Sequence, residues 1–411
     1  MMIPLEQLPT SPTGGGFALL GGVRVLDLTT SIAGPYATML LGDVGAEVIK
    51  IERPRRGDDA RHWGPPFLDG ESLWFLSVNR NKQSLTLDYS RPEGQALLLE
   101  LVARADVVVL NQLPRVQAKL GTDYATLRAV RPDLIHVSLT GFGLEGSRAG
   151  RACYDLIAQG FSGVMDLTGE AESPPQRIGT PASDLLAGMD AAYATMAALF
   201  DRQRTGRGHQ IDVSLVESMT RFMTPRLATY LGSAELPQRA GGTDSVIAIY
   251  QVFETADEPL TLGIGNDAIW RRFCHAIGES ALADDQRFTT NAKRRAARAE
   301  LLPRIQNLLS TRERKHWLEL FAGHGVPAGP IFRLDEVVAD PGLRERGLFY
   351  RMAREDGREV PQVNTGVHID GEANAPRRPP PALAAHTDEV LRSVLGKSDD
   401  DLARLREQGI I

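Results

Sequence analysis

The chain is poor in cysteine, in lysine and in long apolar runs. Cys153 and Cys274 are the only thiols among 411 residues, too few for a disulfide framework or a Cys-based zinc site. Two small buried hydrophobes in a reducing cytoplasm are the expectation. No stretch approaches the roughly 18 consecutive apolar residues of a membrane span. Met1–Gly22 has no basic segment followed by an apolar run, so no secretory signal is expected. A positive excess is missing too: the formal net charge is −6, although arginines outnumber lysines 40 to 6. A nucleic-acid footprint is therefore not expected. What is present is globular, with 42% hydrophobic and 24% charged residues, near ordinary averages. Gly (40) and Pro (25) point to many loops and close backbone approaches. At ~150 residues per domain the length suggests two or three domains.

Short β-rich runs alternate with helical segments. Val23–Leu28 is a strand, Ser31–Leu41 a helix stopped by Gly42 or Gly45, and Ala46–Ile51 a second strand. This is a βαβ unit with parallel strands. The pattern continues with a strand at Ser84–Asp88, a helix over Pro92–Arg104, a strand at Asp106–Asn111, a helix near Asp123–Val130 and a strand at Leu134–Leu139. Apolar runs of this kind are buried on both faces. Ligands in such sheets sit outside the carboxyl ends of the strands, where Asp27-Leu28-Thr29, Asn111 and Thr140-Gly141 fall. Asp184–Arg204 is a long Ala-rich helix stopped at Thr205-Gly206, and Ile211–Leu215 is one more strand. The expected organisation is a flexible leader over 1–20, a large domain over 21–222, a smaller domain over 223–325 with a hairpin at Tyr250–Gly265, and a return to the large domain over 326–411.

Several chemistries find no support. There is no G-x-S-x-G elbow, no H-x₃-H pair among the eight histidines and no G-x₄-G-K-[ST] loop, so serine hydrolysis, helical metal ligation and Walker-type phosphate binding lack their signatures. Gly141-Phe142-Gly143-Leu144-Glu145-Gly146 matches G-x-G-x-x-G, but Ser147–Arg151 is a poor helix start. The stretch is open to three readings: a dinucleotide loop, a glycine-rich active-site loop or a structural turn. Asp184 opens a largely apolar helix, which suits a plain N-cap as well as a reactive carboxylate. Asp155, beside Tyr154, is equally ambiguous.

A series of short motifs resolves these readings: Leu26-Asp27-Leu28 with Ala33-Gly34-Pro35; Gly42–Pro54; Asn79-Arg80-Asn81-Lys82-Gln83-Ser84; Thr140–Gly143; Tyr154-Asp155; Ala182–Leu185; Arg204–Gly208; Val326–Pro330; and His386–Val390. In this order they resemble family III CoA-transferases (the CaiB/BaiF type, with formyl-CoA and carnitine-CoA transferases), from about Gly22 to the C-terminus. The resemblance implies an α/β fold: a Rossmann-like large domain built from both chain ends, a smaller inserted α+β domain, and an interlocked homodimer. It implies acyl-CoA and a small carboxylic acid as substrates, with no tightly bound cofactor and no metal, in the cytoplasm.

The resemblance also assigns roles. Asp184 aligns with the catalytic aspartate, which forms an acyl anhydride and then a CoA thioester. Tyr154 hydrogen-bonds an acyl oxygen and Asp155 orients a loop. Arg53 and Lys119 match basic positions near the CoA phosphates, and Leu87 and Asn111 match positions near adenine and ribose. Gly141 and Gly143, or Gly241-Gly242, supply backbone donors to oxyanions. The chain departs from the family where an acidic-Asn-aromatic triplet reads Leu110-Asn111-Gln112 and a Pro-Gly reads Pro114-Arg115. The α-methylacyl-CoA racemase branch is the rival reading. It carries His at the position of Tyr154, and a phenol with a pKa of about 10 is a poor neutral-pH base. The Asn79–Ser84 stretch resembles members that handle dicarboxylates, for which Arg148, Arg151 and Arg177 are candidate cations.

Overall fold

A computed structural model describes residues 4–11 and 15–411. Six parallel strands form its central sheet: β1 (Arg24–Asp27), β2 (Glu47–Glu52), β3 (Lys82–Thr86), β4 (Val107–Leu110), β5 (Ile135–Thr140) and β6 (His209–Ser214). Their order is β3-β2-β1-β4-β5-β6. Chain order reverses between β1 and β4, and that switch point opens a crevice at the carboxyl ends of the strands.

Alternation along each strand divides the core. Leu26, Ile49, Ile51, Leu85, Val108 and Leu110 face helix α2 (Pro92–Val102) and a C-terminal helix, Thr387–Leu395. Val25, Val48, Val107, Val109, Ile135 and Val137 face α1 (Ala33–Asp43) and α4 (Ala182–Thr205). Both faces are covered, which is why the strands read as unbroken apolar runs. The third strand begins at Lys82, two residues before the expected Ser84, because Lys82 and Gln83 are buried polar residues. The segment after β5 resolves into α3 (Asp155–Ser162).

The chain separates into two compact units. The first comprises Met1–Val164, Ile178–Thr224 and Val338–Ile411; the second comprises Met165–Arg177 and Pro225–Val337. In the second unit Tyr250–Phe253, Leu260–Gly263 and Ala328–Pro330 form an antiparallel sheet over a core that includes Trp270, Phe273 and Phe321. Val326–Pro330 thus stays with the second unit, and the chain returns to the first at Val338. A helix, Thr224–Ser233, stands at the start of the stretch expected as the smaller domain.

Of the expected leader, residues 1–3 and 12–14 lie outside the described residues, so the Ser11–Gly16 run is described only in part. The rest is docked rather than loose. Ser11 N donates to Arg351 O (2.8 Å), Arg351 N donates to Pro9 O (2.9 Å), Leu8 is buried, and Phe17 N donates to Asn374 Oδ1 (3.1 Å). No helix among the described residues is long and apolar enough to cross a membrane.

Helix α4 lies directly on α1. A Cβ at Gly188 would sit 2.7 Å from the Ala33 carbonyl oxygen and 2.9 Å from the Tyr36 ring. Overpacking a contact against backbone typically costs about 1–3 kcal/mol. Gly188→Ala is therefore expected to lower the melting temperature by several degrees in a thermal-shift measurement. An unchanged value would mean that the two helices part at no cost.

Candidate active site

The crevice is built on the turn that follows β1. Asp27 Oδ1 accepts from Thr29 N (2.9 Å), Ser31 N donates to Asp58 Oδ1 (2.9 Å), and Ser31 adopts φ of 72°. From β4, the Asn111 amide pairs with both backbone groups of Thr30: Oδ1 accepts from N at 3.1 Å and Nδ2 donates to O at 2.8 Å. Two cavities share Thr30 and Asn111 as a common wall. One is lined by Ser31, Thr140, Gly141, Arg151, Cys153, Tyr154 and Asp184 among others; the second by Arg53, Asp59, Tyr89 and Gln112. At about 250 Å³ the first has room for a small acyl group.

Asp184 stands in the first turn of α4, but it is not the N-cap. That position is Pro181, which offers no side-chain bond. The exposed N–H groups of the helix start are served from α3. Asp155 Oδ1 accepts from Ser183 N (2.9 Å) and Ser183 Oγ (2.6 Å). Gln159 Nε2 donates to Asp155 Oδ2 (2.6 Å), while its Oε1 accepts from Ile178 N (2.9 Å). With the cap supplied elsewhere, the Asp184 carboxylate takes no hydrogen bond among the described residues. Burial, and secondarily the Asp155 charge, push its pKa from the ordinary carboxylate range to about 7. The positive end of the α4 dipole works against this shift, and burial outweighs it.

The opposite wall depends on a missing side chain. A Cβ at Gly141 would fall 2.0 Å from the Cys153 Cβ, so only glycine lets Cys153 close the cavity. Burial, followed by the Asp184 charge, raises the Cys153 thiol to about 11, which leaves it protonated. Gly141 lines the cavity, whereas Gly143 does not. Gly143 sits at φ of 86° in a turn whose Leu144 N donates to Asp212 Oδ2 (2.8 Å). No helix opens on the glycines; the next begins at Asp155. This removes the dinucleotide-loop reading.

The structure thus brings together Asp184, Tyr154, Gly141 and Asn111 in one cavity, and Arg53 and Asn111 in its neighbour. Tyr154 is 68% exposed. Arg53 Nη2 donates to Asp59 Oδ1 (2.7 Å). Asp155 lies behind the cavity as the cap of α4. Leu87 is 0% exposed in the core and presents no surface to a ligand, while its neighbour Tyr89 does line the second cavity. Lys119 lies on the exposed face of a short helix, Pro114–Leu120, and borders neither cavity. Thr140 lines the cavity from the strand end where sequence reasoning placed it, whereas Thr30, Ser31, Cys153 and Tyr89 were missed as lining residues. Only the position of Thr30-Ser31 just past a strand end could have signalled any of these. Gly241 belongs to the second unit, where its N donates to Gly169 O (3.0 Å).

The sequence model of CoA-transferase family III matches residues 20–387. A succinate–glutarate CoA-transferase of Agrobacterium fabrum is 40% identical over 378 residues, covering 90% of this chain and 94% of that protein. A mouse succinyl-CoA:glutarate CoA-transferase is 38% identical over 392 residues, 95% of this chain and 90% of that one. Among solved structures, a CAIB/BAIF family protein from Brucella suis superposes with a TM-score of 0.80 at 36% identity, covering 92% of this chain and all (100%) of that one.

The raised pKa carries a stability consequence. Between the ordinary carboxylate value and about 7, folded Asp184 holds a proton that the unfolded chain has released. Stability attributable to this group is therefore lost as pH rises across that window. Asp184→Asn cannot ionise, so its melting temperature should exceed the wild-type value, by more at pH 8 than at pH 5. A mutant less stable than wild type at pH 8 would show that the ionised carboxylate is held favourably.

Proposed function

The chain belongs to CoA-transferase family III, and from that premise we propose that it moves CoA from succinyl-CoA to a dicarboxylic acid such as glutarate, with Asp184 as the covalent carrier. The observation that carries this reading is the state of Asp184: a carboxylate at a helix start, free of hydrogen bonds among the described residues, raised to about 7 and facing a small cavity. The names of the Agrobacterium and mouse relatives support the choice of donor and acceptor.

The steps balance without an added reagent. Ionised Asp184 attacks the thioester carbonyl carbon and expels CoA thiolate, leaving an acyl–aspartyl anhydride. The thiolate attacks the aspartyl carbonyl and releases the donor acid as carboxylate, leaving an aspartyl–CoA thioester. The acceptor carboxylate then attacks that thioester, and thiolate returns to the acceptor carbonyl of the second anhydride, restoring Asp184. Exchange is split into easier steps, and each addition places charge on an oxygen that backbone N–H groups can stabilise. Gly141 is the glycine on the cavity wall, so its side of the cavity is the one we assign to the oxyanions. Tyr154 offers a hydroxyl to the acyl oxygen. A racemase would need a neutral-pH base where Tyr154 stands.

The neighbouring cavity takes the nucleotide end of CoA, with Arg53 leaving Asp59 for a phosphate and Tyr89 beside the base. A homodimer, interlocked as the resemblance implies, would cover an apolar stripe on α4. Met189, Tyr193, Met196 and Phe200 are all exposed on it at helical spacing, and Leu156, Ile157 and Phe161 are exposed on α3. Apolar surface on this scale marks contact sites. Two unpaired thiols suit the cytoplasm.

Intact mass after mixing with succinyl-CoA and trapping with hydroxylamine or borohydride should reveal a modified Asp184 in the wild type and nothing in Asp184→Asn. No adduct from several acyl-CoAs, together with deuterium exchange at the α-carbon of a 2-methylacyl-CoA, would overturn the reading in favour of the racemase. The pH profile of kcat/KM should show an acid limb near 7, because only ionised Asp184 attacks; a limb that stays put in Asp155→Asn would exclude Asp155 as a contributor. Arg53→Ala should raise KM for the CoA ester about tenfold, as loss of one charge-assisted phosphate contact does.

A further inference from the structure

The Asp184 cavity contains one cationic side chain among its lining residues, Arg151. Its backbone is fixed by a turn in which Arg151 N donates to Arg148 O (2.9 Å). Its guanidinium makes no ion pair among the described residues. Arg148 is occupied differently, with its guanidinium 5.0 Å from the Phe161 ring centroid, and it does not line the cavity. Arg177 belongs to the second unit. A second polar group borders the same space. Thr140, at the carboxyl end of β5, is only 4% exposed, and its hydroxyl has no hydrogen-bond partner among the described residues. Buried hydroxyls are ordinarily satisfied, so an orphan beside a cavity points to a ligand acceptor. Ala33, Leu113, Leu139, Ala152 and Leu215 complete the lining and suit a methylene chain.

We propose that Arg151 and Thr140 form a subsite for the second carboxylate of a dicarboxylic substrate, with the reacting carboxyl at Asp184 and the methylenes on the apolar wall between. Arginine binds a carboxylate through two parallel N–H donors, and the Thr140 hydroxyl donates to the same group. The subsite rests on the transferase reading for its turnover and stands independently as a binding site. It predicts selection of a diacid over a monoacid of equal length, since a monoacid leaves both donors unpaired.

The test compares glutarate with valerate. In a ping-pong scheme kcat/KM for the acceptor reports only the second half-reaction, so weaker use of succinyl-CoA does not confuse it. Arg151→Gln should lower kcat/KM for glutarate about 30-fold, as expected for hydrogen bonds to a charged group, and leave valerate nearly unchanged. Arg151→Lys should recover part of the loss, and Thr140→Val should lower glutarate use severalfold. Equal losses for both acids, or no loss for either, overturn the subsite. Calorimetric titration of the full chain with glutarate separates the two ideas. Binding that disappears in Arg151→Gln upholds the subsite even if no CoA is transferred, while binding indifferent to Arg151 overturns it even in an active transferase.

Discussion

Lys50 and Lys82 hold Asp27 from two sides at the switch point of the sheet, and water reaches none of the three. Lys82 Nζ donates to Asp27 Oδ2 (2.9 Å), Pro35 O (2.7 Å) and Asn79 Oδ1 (2.9 Å). Lys50 Nζ donates to Thr29 O (2.9 Å) and pairs with Asp58 Oδ2 (2.9 Å). Burial alone would raise Asp27, but the two lysines and Thr29 outweigh it and hold its carboxyl well below the usual range. Uncompensated, such buried ions cost several kcal/mol each, and removing one partner typically costs about 3–5 kcal/mol. The turn at Thr29-Thr30-Ser31 can take only the path these ions dictate, and both cavities rest on that turn.

The same strand ties the end of the chain to the site. Arg80 grips Asp43 through Nε (2.9 Å) and Nη2 (2.6 Å), and donates to Val363 O (2.9 Å). Asn81 Oδ1 accepts from the backbone N of Arg377 (2.7 Å) and Arg378 (3.0 Å). Glu52, at the end of β2, receives Arg61 and Ser84 Oγ, and Arg61 reaches Pro381 O. Asn79–Ser84 therefore acts by architecture. Every residue of the segment is buried, and what it sets is the position of β3 and Lys82, not a contact with the acid.

Much of this is legible in the sequence, and what is not has a common cause. Strand periodicity, the Gly206 stop and the succession of βαβ units mark the sheet and α4, because these depend on neighbours within a few residues. Asp184 is legible as the opening of a helix, and the ordered motifs nominate it as the reactive group. Its freedom from capping is not legible, because the cap comes from Asp155, 28 positions away for Ser183. Leu87 misleads for the same reason: it lies two residues from the lining residue Tyr89 and points into the core. Asn111 does line both cavities, and its amide also holds the backbone of Thr30. Lysines at positions 50 and 82 look like surface charges until Asp27, 55 residues from Lys82, is brought between them. Three arginines could serve a distal carboxylate by sequence, and only folding separates Arg151 from Arg148.

The chemistry of the cavity depends on the difference between two acids that share it. Asp184 is raised only to about 7, so near neutrality a substantial fraction is ionised; Cys153 is raised to about 11 and stays a neutral thiol. Burial shifts both in the same direction, and their different starting points put them on opposite sides of neutral pH. A thiolate beside an acyl–aspartyl anhydride would capture the acyl group as a protein thioester and divert it from CoA, since the thiolate is the reactive form. Burial around the cavity, whose wall Gly141 permits Cys153 to form, thus lifts the carboxylate toward neutral pH and keeps the sulfur protonated. Under the proposed mechanism, the burial that raises Asp184 also directs the anhydride toward CoA.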